Sequence, residues 1–218
     1  MMKFLVDTSK ANLAKLDSKL IGGQLLTPLT RYRVWNGVYA IDNGAFSSFH
    51  STRFNLLMER NAEHAGRCLF VACPDVVGDA RRTMELWERR KRWIKEGSGW
   101  KPALVAQDGI EDMDIPWDDM GALFIGGRDP WKDGPEVLAL IKTAKVLGIH
   151  VHVGRVNTPK RYLHFSRAGA DTCDGSGIAK YDHMLRKIED AVNAPEQAEL
   201  FDTHNACLIA NEQLRETK

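Results

Sequence analysis

Three aspartates, Asp42, Asp75 and Asp174, stand at or just beyond the ends of short apolar segments. Carboxylates on either side of a glycosidic bond can serve as nucleophile and as general acid/base while the sugar carbon becomes oxocarbenium-like. Glycines beside them, Gly44, Gly175 and Gly177, let a flat ring come close to the backbone. Gln107 offers the paired donor and acceptor that read an amide-like heterocycle edge. Flat, polar and glycosidic together point to a nucleoside.

These residues belong to a series of clusters: Asp42-Asn43-Gly44-Ala45-Phe46, Cys73-Pro74-Asp75, Gln107-Asp108-Gly109, Gly126-Gly127-Arg128, Gly154-Arg155-Val156-Asn157 and Asp174-Gly175-Ser176-Gly177. Asp, Asn and Gly in such places also cap helices and form turns, and for a single cluster that role is the better account. Six in succession, with Gln107, Arg128 and Arg155 that no turn requires, favour a site.

The elements that must position them are eight candidate strands: Phe4 to Val6, Leu25 to Leu29, Val38 to Ile41, Leu69 to Ala72, Ala103 to Ala106, Leu123 to Ile125, Val151 to Val153, and Thr172 to Cys173. From the fourth onward, stretches of helical periodicity separate them, notably Asp79 to Lys95 and Pro135 to Leu147, and such alternation argues for parallel pairing. The expected fold class is α/β, a (β/α)8 TIM-like barrel, in which all the clusters face one mouth. Leu29 and Val38 are too close for a helical crossover, so the N-terminal third is expected to be irregular or locally antiparallel. A single domain is expected over residues 1–218, with the barrel in 1–194 and a helical tail in 195–218 opened by Pro195 and Glu196.

With 44% hydrophobic residues in 218, the chain carries enough apolar material for one full core or two small ones. Thirty Lys and Arg against 29 Asp and Glu leave a formal charge of +1, so a nucleic-acid contact must use a local patch. Cys68, Cys73, Cys173 and Cys207 lack paired metal-ligand spacing, which fits buried, reduced thiols in a cytoplasmic protein. No apolar run approaches the roughly 20 residues that span a bilayer, so no membrane contact is expected. No metal or other cofactor is expected either.

The motif order carries a resemblance. Ala40-Ile41-Asp42-Asn43-Gly44-Ala45-Phe46, Leu104-Val105-Ala106-Gln107-Asp108-Gly109, Phe124-Ile125-Gly126-Gly127, Val153-Gly154-Arg155-Val156 and Gly169-Ala170-Asp171-Thr172-Cys173-Asp174 resemble, in that order, the Asp-Ser-Gly-Gly-Phe, Val-Gln-Gly-Gly, Ile-Gly-Gly, Met-Gly-Val-Gly and nucleophile-bearing segments of the queuine tRNA-ribosyltransferase (tRNA-guanine transglycosylase) superfamily. The likeness spans about residues 38–180 and is closer to short phage and bacterial relatives that act on DNA. It implies that Asp174 attacks C1′ and displaces the base, with Asp42 as proton shuttle or base-edge holder. It also implies that Gln107, Gly126 and Gly127 read the heterocycle, with Asn43, Gly44 and Asp75 beside it, and that Phe46 stacks on the base or packs in the core. The three-Cys, one-His zinc site of the tRNA-acting members has no counterpart here, Asn43 stands for the family's Ser, and Ala45 stands for its second Gly. The implied substrate is a nucleobase in DNA, with a free 7-deazaguanine as second substrate if the base is exchanged. If water enters instead, the chain is a DNA glycosylase suited to removing a modified base from phage DNA as antiviral defence. A barrel that binds nucleic acid without turnover is the alternative of a different class.

Residues 81 to 95 hold seven basic side chains against two acids, a strip expected on the outer wall as a solvated helix face. Arg155, Lys160 and Arg161, just after a strand, are the better candidates for phosphate contacts. His150 and His152 alternate on one strand and point the same way, with His152 expected to line the pocket and no third metal ligand in sight. Trp131 stacks on a flanking base or packs at the rim.

Overall fold

The computed structural model describes residues 1–7, 15, 17–30 and 37–194. Eight strands form in chain order: β1 (Lys3–Val6), β2 (Ile21–Leu26), β3 (Tyr39–Ile41), β4 (Cys68–Ala72), β5 (Pro102–Ala106), β6 (Ala122–Ile125), β7 (His150–Val153) and β8 (Thr172–Cys173). Each pairs in parallel with the next, and β8 pairs with β1, so the sheet closes into a TIM-like barrel. Their sequences are runs of apolar residues because a parallel strand in a closed barrel is covered on both faces. One face supplies the barrel interior, with Leu5, Leu25, Phe70, Ala72, Val105 and Phe124. The other packs outward on the helices through residues such as Val71, Leu104, Leu123, Ile125 and Val151.

The helices are α1 (Ser51–Arg60), α2 (Ala80–Ser98), α3 (Pro135–Val146), α4 (Pro159–Ala168), α5 (Ser176–Lys180) and α6 (Asp182–Asn193). Their ends follow local chemistry. Asp79 caps α2 by accepting from the Arg82 amide at 3.0 Å, and Thr158 caps α4 by accepting from the Arg161 amide at 3.2 Å, with Pro159 in the first turn. Gly99 and Gly169 terminate α2 and α4 in the left-handed conformation. α2 buries Trp87 and Ile94 against the barrel and turns its basic residues outward, as the sequence implies.

Two expectations for the N-terminal third are corrected. The second strand begins at Ile21 and ends at Leu26, whereas the sequence pointed to Leu25 to Leu29. Gly22 and Gly23 lie inside the strand, where neighbours leave no room for side chains: a Cβ on Gly22 would sit 2.5 Å from the Lys3 Cβ, and one on Gly23 would sit 2.6 Å from the Val38 carbonyl. Nor is this region antiparallel. β2 pairs in parallel with β3, Gln24 opposite Tyr39, and residues 27–30 form a turn at the barrel mouth in place of the strand end expected there. The tail expected from Pro195 lies outside the described residues. Among the described residues, no helix is long and apolar enough to cross a membrane.

Candidate active site

All eight strands run one way, so the clusters that follow them meet at one mouth around a cavity of about 230 Å³. Pockets for drug-sized ligands span about 300–1,000 Å³, so this one suits a single ring system. Asp42, Asp75 and Asp174 all line it, together with Asn43, Gly44, Phe46, Gln107, Gly126, Gly127 and Arg155.

Asp174, at the end of β8, is held from two sides. Its Oδ1 accepts the Arg155 backbone N–H at 3.0 Å, and its Oδ2 lies 3.1 Å from His152 Nε2. Burial alone pushes this carboxyl up; the His152 contact, the Arg155 amide and the Lys132 ammonium together hold it below the usual carboxylate value. Asp42, at the end of β3, has the opposite surroundings. Its Oδ1 accepts the Gly44 N–H at 3.2 Å, and although backbone N–H groups of Gly44 and Asn43 favour the ionised form, burial, then the negative charge of Asp174, push its pKa up to about 7. At neutral pH one acid of the pair is therefore ionised while the other keeps a substantial share of its proton, the division of labour seen when two carboxyls act as nucleophile and acid.

Asp75 is braced by two amides. Asn43 Nδ2 donates to its Oδ1 at 2.7 Å and Gln107 Nε2 to its Oδ2 at 2.7 Å, while burial, the larger influence, raises its pKa to about 6. Asn43 also donates to the Cys73 carbonyl and, through its own oxygen, accepts the Ala45 N–H. The Gln107 carbonyl accepts the backbone N–H groups of Gly78 and Gly127 at 2.8 and 3.0 Å. Gln107 was expected to offer a donor and an acceptor to the heterocycle; its acceptor is already occupied, and its amide positions Asp75 and the Gly127 turn. Gly126 must be glycine for the same reason, since a Cβ there would lie 2.5 Å from Gln107 Nε2.

Arg155 shapes the rim. It is the one described non-glycine residue with positive φ, 58°, a conformation in which its backbone N–H points at Asp174. Its guanidinium donates to the Gly127 carbonyl and lies 4.5 Å from the centre of the Phe46 ring. Phe46 is 65% exposed, which removes core packing as its role and leaves it as a flat wall at the mouth.

Two expected site residues, His152 and Arg161, are not placed for the roles expected of them, and two more, Lys160 and Trp131, lie at or outside the rim. His152 does not line the cavity; it is fully buried beneath it, between Phe70 and Phe124, and touches Asp174. Arg161 is not free for phosphate, because its guanidinium is paired with Asp129 and, at 2.9 Å, with Asp133. Lys160 is exposed on the first turn of α4 and lines an outer groove between α3 and α4. Trp131 packs across Gly127, where a Cβ would collide with its ring, and donates to Glu111 at 3.0 Å, so of its two roles the structure shows rim packing.

Sequence reasoning missed several groups. Lys132 lines the cavity from a 3-10 turn (Trp131–Asp133), is fully buried, and donates to the Gly154 carbonyl. Burial lowers its pKa to about 7 against the pull of Asp174. No periodicity marks a lone lysine in a turn, so nothing in the chain announced it. Thr27, Pro28 and Leu29 form part of the wall once β2 ends at Leu26, and Phe124 lies toward the barrel interior. Among the described residues no group of three or more His, Cys, Asp or Glu side chains is arranged to hold a metal ion. Cys68, Cys73 and Cys173 are free and buried, and Cys207 lies outside the described residues.

No protein-family model matches the chain, and no curated protein is significantly similar to it. Fold and site define a class: a parallel eight-stranded barrel with a three-carboxylate cavity at the C-terminal mouth. The particular activity is argued from the site, because the fold is shared by unrelated chemistries.

Proposed function

We propose that this protein breaks the N-glycosidic bond between a nucleobase and deoxyribose in DNA, acting as a base-exchange or base-excision enzyme. The observation that carries the reading is the pairing, around one cavity, of a carboxylate held ionised with a carboxyl raised to about 7. In the first step an Asp174 oxygen bonds to C1′ as the C1′–N bond breaks, and its electron pair leaves with the base. Protonated Asp42 gives its proton to the departing ring. The resulting Asp42 carboxylate then accepts a proton from the group that resolves the ester: an incoming base for exchange, water for excision. Asp75, fixed by Asn43 and Gln107, faces the ring and accepts from its N–H edge, while Phe46 and the Arg155 guanidinium form a flat lip over which an extruded base slides. The motif series resembling the transglycosylases, without their zinc ligands, is what directs the proposal to DNA.

The test treats DNA from several phages, modified and unmodified, with the protein, then applies alkali and identifies released bases by mass spectrometry. Release of one base, with alkali-labile breaks only when no free 7-deazaguanine is supplied, is expected for an enzyme that does both. Asp174→Asn is expected to lower release by roughly a thousandfold or more while its circular dichroism shows the fold retained. Salt-sensitive DNA binding with no release from any substrate would make the barrel a binding module instead.

A further inference from the structure

Beneath the cavity, inside the barrel, four side chains on β7, on β8 and just past its end form a hydrogen-bonded row. His150 Nε2 lies 2.8 Å from Thr172 Oγ1, Thr172 Oγ1 lies 2.9 Å from His152 Nδ1, and His152 Nε2 lies 3.1 Å from Asp174 Oδ2. The register that sets His152 opposite Thr172 puts these side chains on the same face of neighbouring strands. Phe70 packs at 5.8 Å from His150 and 5.1 Å from His152, and Phe124 packs at 4.6 Å from His152, so the His152 imidazole is clamped between two rings while His150 rests against one.

Proton counting gives the row one direction. Asp174 is ionised and can only accept, so the proton between it and His152 sits on Nε2. A neutral imidazole has one N–H, so His152 Nδ1 must accept, and the Thr172 hydroxyl must donate to it. That uses the single hydroxyl hydrogen. The Thr172 oxygen therefore accepts from His150, which must carry its proton on Nε2. Burial keeps both imidazoles neutral, despite Asp174 beside one and Asp171 near the other.

We propose that Thr172 and His150 are positioning residues for Asp174: the Thr172 hydroxyl, turned by the His150 N–H, donates to His152 Nδ1 and so reinforces the Nε2–H tautomer that Asp174 calls for, holding the imidazole against the carboxylate at the cavity. The role given to Asp174 rests on the function proposed above; the tautomer assignment does not. The other charged groups acting on Asp174 or His152 are Asp42 and Lys132, with the Arg155 backbone amide, and those acting on His150 are Asp171, Lys145 and Lys101. None of them supplies a second acceptor or donor to His152 Nδ1, so Thr172 alone serves that nitrogen.

The test is long-range ¹H–¹⁵N spectroscopy of histidine-labelled protein, with ¹³C-labelled aspartate to follow Asp174 through a pH titration. In the wild type, His152 and His150 are both expected to show Nε2-protonated patterns from pH 6 to 8. An Nδ1-protonated His152 in the wild type would overturn the proposal without any variant. Thr172→Val removes the hydroxyl and is expected to shift His152 to mixed tautomers and raise the Asp174 titration midpoint; Thr172→Ser is expected to restore both. If Thr172→Val folds and leaves the His152 pattern and the Asp174 midpoint unchanged, the row positions nothing. All of these readouts are made without substrate, so their failure is separate from failure of base release. Where a released base has been identified, Thr172→Val is further expected to lower kcat at least tenfold with KM within twofold, and Thr172→Ser to recover it. A uniform loss in both variants would mark Thr172 as structural only.

Discussion

The two acids of the site titrate in opposite senses, and the reason is local. Asp174 receives an imidazole and a backbone N–H, whereas Asp42 receives backbone N–H groups alone, is desolvated by burial, and lies in the field of Asp174. An ordinary aspartate loses its proton near pH 4, but Asp42 in the folded protein keeps its own up to about 7. Between those values the unfolded chain is ionised at this position and the native chain is not. The contribution of Asp42 to stability is thus full below pH 4 and is lost as the pH rises through 7. Asp174 behaves conversely: its contribution is present above the unfolded value and is lost as the pH falls through its depressed folded value. Asp42→Asn removes the first dependence. Relative to wild type, the variant is expected to gain roughly 1–3 kcal/mol more at pH 8 than at pH 5, after allowing for the carboxyl edge that remains hydrated at the cavity. Denaturant titrations at the two pH values measure it, and an equal difference at both would mean that Asp42 is not raised. Base release by the wild type is expected to fall above pH 7 as Asp42 loses the proton that it donates.

At the scale of elements, the strands most legible in the sequence were those from β4 onward. Val105 inside and Leu104 outside, or Phe124 inside and Leu123 outside, are apolar on both sides, and glycine or polar residues end each run. The site's acids were legible because they follow these strands directly. Less visible were features set by contacts across the barrel: the Gly22-Gly23 stretch inside β2, the buried Lys132, and the bracing of Asp75 by Asn43 and Gln107. Each depends on a neighbour at least 15 positions away, which no local pattern encodes. The turn after β6 illustrates how tightly such neighbours constrain an element. Gly127 has φ of +63°, its N–H donates to Gln107, its carbonyl accepts from Arg155, and the Trp131 ring fills the space where a side chain would be. Gly127→Ala is therefore expected to cost about 2–4 kcal/mol, from overpacking of about 1–3 and left-handed strain of about 1. Thermal and denaturant unfolding check the magnitude. A cost of only about 1 kcal/mol, the backbone strain alone, would show that Trp131 moves aside freely.

Seen whole, the barrel has two ends with different electrostatic duties. Each helix that follows a strand starts at the mouth and runs toward the opposite end, so position along a helix reports distance from the cavity. On α2, Arg81 and Arg82 lie in the first turn, exposed and near the mouth, whereas Arg92 and Lys95 lie more than two turns further down. Arg92 is also paired with Glu96, at 3.2 Å. The basic strip is thus two regions on one helix, and only the upper one can meet a strand whose base enters the cavity. With Arg161 paired and the Arg155 side chain bonded at the rim, this upper region and exposed Lys160 are the available phosphate contacts on these two helices. Replacing Arg81 and Arg82 by Gln is expected to reduce the slope of log affinity against log salt by about 1.4–1.8, because each neutralised phosphate contact accounts for about 0.7–0.9. Replacing Arg92 and Lys95 by Gln is expected to leave that slope unchanged. Fluorescence anisotropy of labelled DNA across a salt series, single- and double-stranded, measures both. Equal losses from the two pairs would mean that the nucleic acid lies along the outer wall, and the cavity would then have to take its substrate free in solution.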